Sequence, residues 1–108
     1  MKHLFVTGTD TGIGKTIVSA WLCTHWQADY WKPVQSGLEG GSDSEWIARL
    51  SGCAVHPETY RLTQPLSPHQ AADIDGGKIQ LTDFTLPTAD RLVVEGAGGC
   101  MVPLNWRD

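Results

Sequence analysis

The run Leu4 to Thr16, LFVTGTDTGIGKT, holds the residues whose types and spacing point most directly to chemistry. Lys15 offers a point charge and Thr16 a hydroxyl, both directly after Gly12-Ile13-Gly14. A turn rich in Gly, Thr and Asp, set between an apolar strand and a helix, aims several backbone N–H groups at one spot, and such a spot holds phosphate. In that setting Lys15 reaches β- and γ-phosphates and Thr16 places its hydroxyl on Mg2+. The strict P-loop pattern puts a glycine where Thr9 stands; the glycine here is Gly8, so the loop is one residue longer. A glycine-rich turn with an incidental lysine is the plain alternative, and the strand before it and helix after it argue against that reading.

Further residues could share the work. Phosphoryl transfer needs a phosphate cradle, a metal, charge neutralisation and a positioned acceptor. Mg2+ takes oxygen ligands and keeps several waters, which makes Thr16, Asp43 and Glu95 its candidate ligands, directly or through water. Asp43 is equally at home as a helix-start carboxylate favoured by the dipole. Glu95 precedes Gly96-Ala97-Gly98-Gly99 after an apolar strand, a context that favours function over a solvated strand-end acid. Lys32 follows an aromatic pair and precedes Pro33; it supplies a second cation near the γ-phosphate or a carboxylate acceptor, or else is a surface lysine. Ser36, in a glycine-flanked loop, is a candidate for hydrogen-bonding substrate or a simple turn serine. Asp10 inside the loop is a candidate for a proton or a bound amine, and Ser67-Pro68-His69 for a pocket wall.

The elements that must position these groups alternate. A first strand is expected over His3–Thr7, with Leu4, Phe5 and Val6 buried, then a helix over Lys15–Trp26 whose apolar face is Ile17, Val18, Ala20, Trp21 and Leu22. Asp29–Val34 reads as a second strand stopped by Pro33, which cannot donate to a ladder. Gln35 to Gly41 reads as a flexible loop. Ser42 to Glu45 has the form of a capping box, starting a short helix through about Leu50 that Gly52 closes. Between Ala54 and Thr88 the signal weakens: Thr59–Leu62 reads as a short strand, Ser67–Ala72 as a helical turn, and Leu81–Leu86 fits either strand or helix. Arg91–Glu95 is a clear strand. This alternation predicts an α/β fold with a parallel sheet and flanking helices, one domain over residues 1–108. Ligands of such sheets sit at the carboxyl ends of the strands, which is where Lys15, Lys32 and Glu95 fall.

Composition narrows the classes further. The chain has 108 residues, a net charge of −4 and 41% hydrophobic residues, enough for one small domain. It has no Lys/Arg run, so no nucleic-acid or anionic-membrane footprint. No apolar run approaches the ~20 residues that span a bilayer, and no signal-peptide pattern opens the chain. The three cysteines, Cys23, Cys53 and Cys100, are widely spaced without a CxxC, which points to reduced thiols in the cytoplasm rather than disulfides or zinc. Trp21, Trp26, Trp31 and Trp46 are expected in helix–sheet packing.

Five stretches together resemble the dethiobiotin synthetase family of P-loop enzymes: FVTGTDTGIGKT, WKPVQSG, the Ser42-Asp43 pair, PLSPH, and VVEGAGG followed by Val102-Pro103-Leu104. The longer loop from Gly8 is that family's own form of the motif. The resemblance implies a three-layer P-loop NTPase-like fold and a reaction in which Mg-ATP, CO2 and 7,8-diaminononanoate give dethiobiotin and ADP through a carbamate and a carbamic–phosphoric anhydride. It implies Lys15 and Lys32 as catalytic residues. It implies ATP binding by Gly12, Ile13, Gly14, Lys15, Thr16, Ile17, Asp43, Glu95, Gly96, Ala97 and Gly98, Mg2+ at Thr16, Asp43 and Glu95, and substrate contact at Ser36. It further implies a cytoplasmic homodimer and about as much chain again after Asp108, with adenine-binding residues and the dimer surface. A sheet ending after the Glu95 strand is expected to expose an edge and an apolar face.

Other readings of the same residues are a cobyrinate-type amidating synthetase, which shares the loop and EGAGG features, and a nucleotide-binding fragment without turnover. A Rossmann dinucleotide site is disfavoured because Gly12-Ile13-Gly14 is followed by Lys-Thr and no GxGxxG occurs.

Overall fold

A computed structural model describes residues 2–7, 13–38, 41–64, 68–77 and 79–97. Strand β1 (Lys2–Val6) leads toward the glycine-rich loop and helix α1 (Ile13–Trp26) leaves it. The chain turns at Gln27, in the left-handed region at φ 58°, and enters β2 (Asp29–Trp31). Pro33 then does more than stop that strand. With φ fixed and no N–H it breaks the ladder, and Val34–Ser36 forms a separate strand, β3, in a different sheet. The single strand expected over Asp29–Val34 is therefore two, with Lys32-Pro33 as the joint, and Gln35 and Ser36 belong to β3 rather than to a loop. Pro33 O accepts from Thr59 N at 2.9 Å and Tyr60 N at 3.0 Å, fixing the joint against the following segment.

Helix α2 (Asp43–Ser51) starts as its sequence predicts. Ser42 is extended and its Oγ accepts from Glu45 N at 3.2 Å; Gly52, at φ 69°, closes the helix with its N–H on Ala48 O. Ser42→Ala removes the side-chain acceptor for an otherwise orphaned N–H. It is expected to cost about 1 kcal/mol, read as a fall of roughly 4–8 °C in thermal midpoint.

Three elements complete the description: β4 (Val55–His56), which no sequence signal marked, β5 (Tyr60–Leu62) and α3 (Pro68–Ile74). The ambiguous stretch from Leu81 is neither strand nor α-helix but a 3-10 turn over Leu81–Asp83. Strand β6 (Arg91–Glu95) has the bounds the sequence gives it.

The main sheet has the order β1-β6-β2-β4 with every pair parallel. Strand β6 lies between β1 and β2, so the connection through α1 passes over it. Residues alternate between the two faces. Tyr30 and Val93 point to the side of α1 and α2, where they join Ala20, Cys23 and Ile47. Trp31, Leu92 and Val94 point the other way, against Phe84 and Ala89. The smaller sheet, β3 and β5 in parallel, packs with α3 around Val34, Leu62, Ala71, Ala72 and Ile79. The result is a P-loop NTPase-like α/β arrangement.

Two burial expectations fail, for one reason. Ile17, Val18 and Trp21 were expected to pack on the sheet, yet Trp21 is 60% exposed; the inner face of α1 is the small row Thr16, Ser19, Ala20 and Cys23. Leu4 and Phe5 of β1 are likewise exposed, Phe5 at 63%. Among the described residues β1 is an edge strand paired only to β6, so nothing covers its outer side or the outer face of α1. Trp31 alone of the four tryptophans expected in packing is fully buried; Trp26 is half-buried and Trp46 exposed.

Candidate active site

Parallel register places Val6 opposite Glu95 and Trp31 opposite Val94, so the carboxyl ends of β1, β6 and β2 lie level. Glu95 is the last residue of β6, Lys32 the first after β2, Thr16 sits in the first turn of α1, and Asp43 is the first residue of α2. These four meet. Lys32 Nζ donates to Glu95 Oε2 at 3.1 Å and is also ion-paired to Asp43 Oδ2. Thr16 Oγ1 donates to the same Glu95 oxygen at 3.5 Å. Glu95 and Lys32 are buried, at 1% and 5% exposed, while Asp43 is half-buried. Burial pushes the Glu95 carboxyl above its usual range; the Lys32 charge pulls against this and the Asp43 charge adds to it.

Two residues not singled out by the sequence hold this group in place. Tyr30 OH donates to Glu95 Oε1 at 3.0 Å from a ring that is 0% exposed. Burial, and then the Glu95 charge, keep its phenol protonated far above ordinary pH, so it is always a donor. Tyr30 lies two residues before Lys32, on the same face of the strand, and that spacing was the available signal. Gln35 is buried and spans the entry to α2: its Oε1 accepts from Asp43 N at 3.0 Å, and its Nε2 donates to Ser36 O at 3.2 Å and Gly37 O at 3.0 Å. It thus satisfies a helix N–H left without an intrahelical partner and fixes the residue that pairs with Lys32. Gln35→Ala leaves the Asp43 N–H without this partner and is expected to cost about 1 kcal/mol of stability, measured by urea unfolding against the parent protein.

The remaining candidates fall around this core. Lys15 Nζ donates to Gly96 O at 3.4 Å, bringing α1 to the end of β6. Gly96 N donates to Val6 O at 3.0 Å, and Ala97 packs beside the Val34–Leu62 cluster. Ile13 and Gly14 begin α1; Ile17 points outward from it. Ser36 Oγ is buried with no hydrogen-bond partner among the described residues, an orphan hydroxyl at the end of β3. His69 lies in the first turn of α3. Gly12 and Gly98, together with Asp10 and Ser67, lie outside the described residues.

Among the described residues no group of three or more His, Cys, Asp or Glu could hold a metal. The set here is two carboxylates and a hydroxyl converging at the mouth of α1. Hard oxygens, few in number, fit Mg2+ in kind and do not fit zinc or a soft metal; here the two carboxylates share the Lys32 ammonium. No described helix is long and apolar enough to cross a membrane.

The chain is 56% identical over 107 residues to the ATP-dependent dethiobiotin synthetase BioD of Paramagnetospirillum magneticum, covering 97% of this chain and 52% of that protein. It is 57% identical over 107 residues to the protein of the same name from Sphingopyxis alaskensis, with 99% and 52% covered. With that of Lawsonia intracellularis the identity is 48% over 103 residues, with 95% and 51% covered. The chain thus spans about half the length of the curated relatives it matches. The model of a family described as "AAA domain" matches residues 2–108, nearly the whole chain and all the strand ends that form the site, so the chain belongs to that family.

Proposed function

We propose that this chain carries the phosphate- and metal-handling part of an ATP-dependent dethiobiotin synthetase. The observation that carries the reading is a buried cation, Lys32, held between Asp43 and Glu95 beside Thr16 at the strand ends. The substrates are Mg-ATP, CO2 and 7,8-diaminononanoate. One amine takes up CO2 as a carbamate, a carbamate oxygen attacks the γ-phosphorus with release of ADP, and the second amine closes the cyclic urea with release of phosphate. Lys15 and the N-terminal N–H groups of α1 bind phosphate oxygens. Lys32 neutralises charge that builds up between the carbamate and the transferring group, and its burial makes that charge count for more than it would in water. Thr16, Asp43 and Glu95 would hold Mg2+, which when bound neutralises phosphate charge. Ser36 offers its orphan hydroxyl to the substrate. A homodimer in the cytoplasm completes the proposal, resting on the resemblance.

The test is capture of labelled bicarbonate. Incubated with Mg-ATP and the diamine, the protein is expected to fix label into an acid-stable product with the mass of dethiobiotin. Fixation that proceeds without the diamine, or ADP release driven by a corrin carboxylate and an amide-nitrogen donor with no label fixed, would overturn the reading.

A further inference from the structure

We propose that Tyr30 is a positioning residue for Glu95: it locks one carboxylate oxygen so that the other, Oε2, is presented to Lys32 and Thr16 and to whatever cation the site holds. This rests on the functional reading above, in which Glu95 is a metal ligand.

The geometry divides the carboxylate cleanly. Oε1 is taken by Tyr30 OH at 3.0 Å, while Oε2 takes Lys32 Nζ at 3.1 Å and Thr16 Oγ1 at 3.5 Å. The terminal torsion of a glutamate is soft, with broad wells, so nothing in the side chain itself keeps the two oxygens distinct. Tyr30 does. Its ring is packed with Ala20 and Cys23 of α1, Ile47 of α2 and Val93 of β6, and cannot follow a rotating carboxylate. The phenol is therefore a fixed donor on a rigid strand. A metal ligand oriented in this way by a hydrogen bond from outside the coordination sphere typically loses 10–100-fold in metal affinity when that partner is removed.

Mn2+ is the probe, titrated in the presence of ADP and read by electron paramagnetic resonance. Tyr30→Phe keeps the buried ring and removes only the donor; Glu95→Gln keeps the shape and removes the charge. Thermal unfolding without metal establishes first that both variants fold. Tyr30→Phe is expected to weaken Mn2+ binding by about tenfold. Glu95→Gln is expected to weaken it further, and the double variant to match Glu95→Gln alone, because Tyr30 acts only through that carboxylate. A Tyr30→Phe protein that is less stable but binds Mn2+ with parent affinity would reduce Tyr30 to a structural hydroxyl and overturn the inference alone. The same holds if the two losses multiply in the double variant. Parent affinity in Glu95→Gln would overturn the metal assignment itself, and the inference with it.

Discussion

Lys32→Ala is expected to destabilise the folded protein by about 3–5 kcal/mol, because it strands a buried carboxylate without its cation. Glu95 is 1% exposed, so water cannot replace the lost partner, and Asp43 stands close enough to repel it. The loss has a characteristic pH dependence. Glu95 titrates higher in the fold than its ordinary value of 4.5, chiefly because it is buried. A raised carboxyl contributes stability below the unfolded value and loses it as pH rises through the folded one. In the parent protein the Lys32 charge limits that rise; in Lys32→Ala the limit is gone, and the window in which stability falls extends further upward. The penalty relative to the parent is therefore expected to be small near pH 4.5 and full near pH 8, measured by urea unfolding in the presence of a chelator. A penalty that did not change with pH would show that Lys32 does not neutralise Glu95. Turnover should fall by at least the 10²–10³-fold typical of removing one preorganised charge-stabilising donor.

Lys15→Ala is expected to separate stability from chemistry. Lys15 is half-buried, and its Nζ donates to Gly96 O at 3.4 Å, a bond weaker in geometry than those of Lys32. Unfolding free energy should change far less than in Lys32→Ala, because a half-buried lysine leaves its partners within reach of water. Turnover should fall by about 10²–10³-fold, because the lysine meets charge that grows on the phosphates only as the reaction proceeds. The pair of variants is diagnostic. In the proposed function Lys32 serves the fold and the site together, whereas Lys15 serves the nucleotide. Equal destabilisation in both would contradict that division.

What could be read from the sequence, and what could not, follows from how far each feature depends on partners distant along the chain. Arg91–Glu95 shows itself because Leu92-Val93-Val94 is an apolar run buried on both faces of a parallel sheet. Ser42 and Gly52 show themselves because caps are local chemistry. The meeting of Thr16, Lys32, Asp43 and Glu95 was legible at one remove: parallel strands bring their carboxyl ends together, Lys32 and Glu95 stood at such ends, and Thr16 and Asp43 stood in the first turns of α1 and α2. Pro33 was read as a stop, but that Val34–Ser36 would pair with Tyr60–Leu62 depends on a contact the local pattern does not carry. Val55–His56 is too short to show any period. Tyr30 and Gln35 were missed because their roles depend on the partner, Glu95 or Asp43, and on register, not on residue type. Ile17, Val18 and Trp21 misled for the opposite reason: an apolar stripe reveals that a face is to be covered, not by what.

The most direct measurement is ADP release with Mg-ATP, bicarbonate and 7,8-diaminononanoate, run beside Lys15→Ala and Lys32→Ala. ADP release that requires the diamine, and that both substitutions abolish while Lys15→Ala stays folded, is the expected result. ADP release indifferent to the diamine, or undiminished without Lys32, would contradict the assignment of the strand-end cluster to dethiobiotin formation.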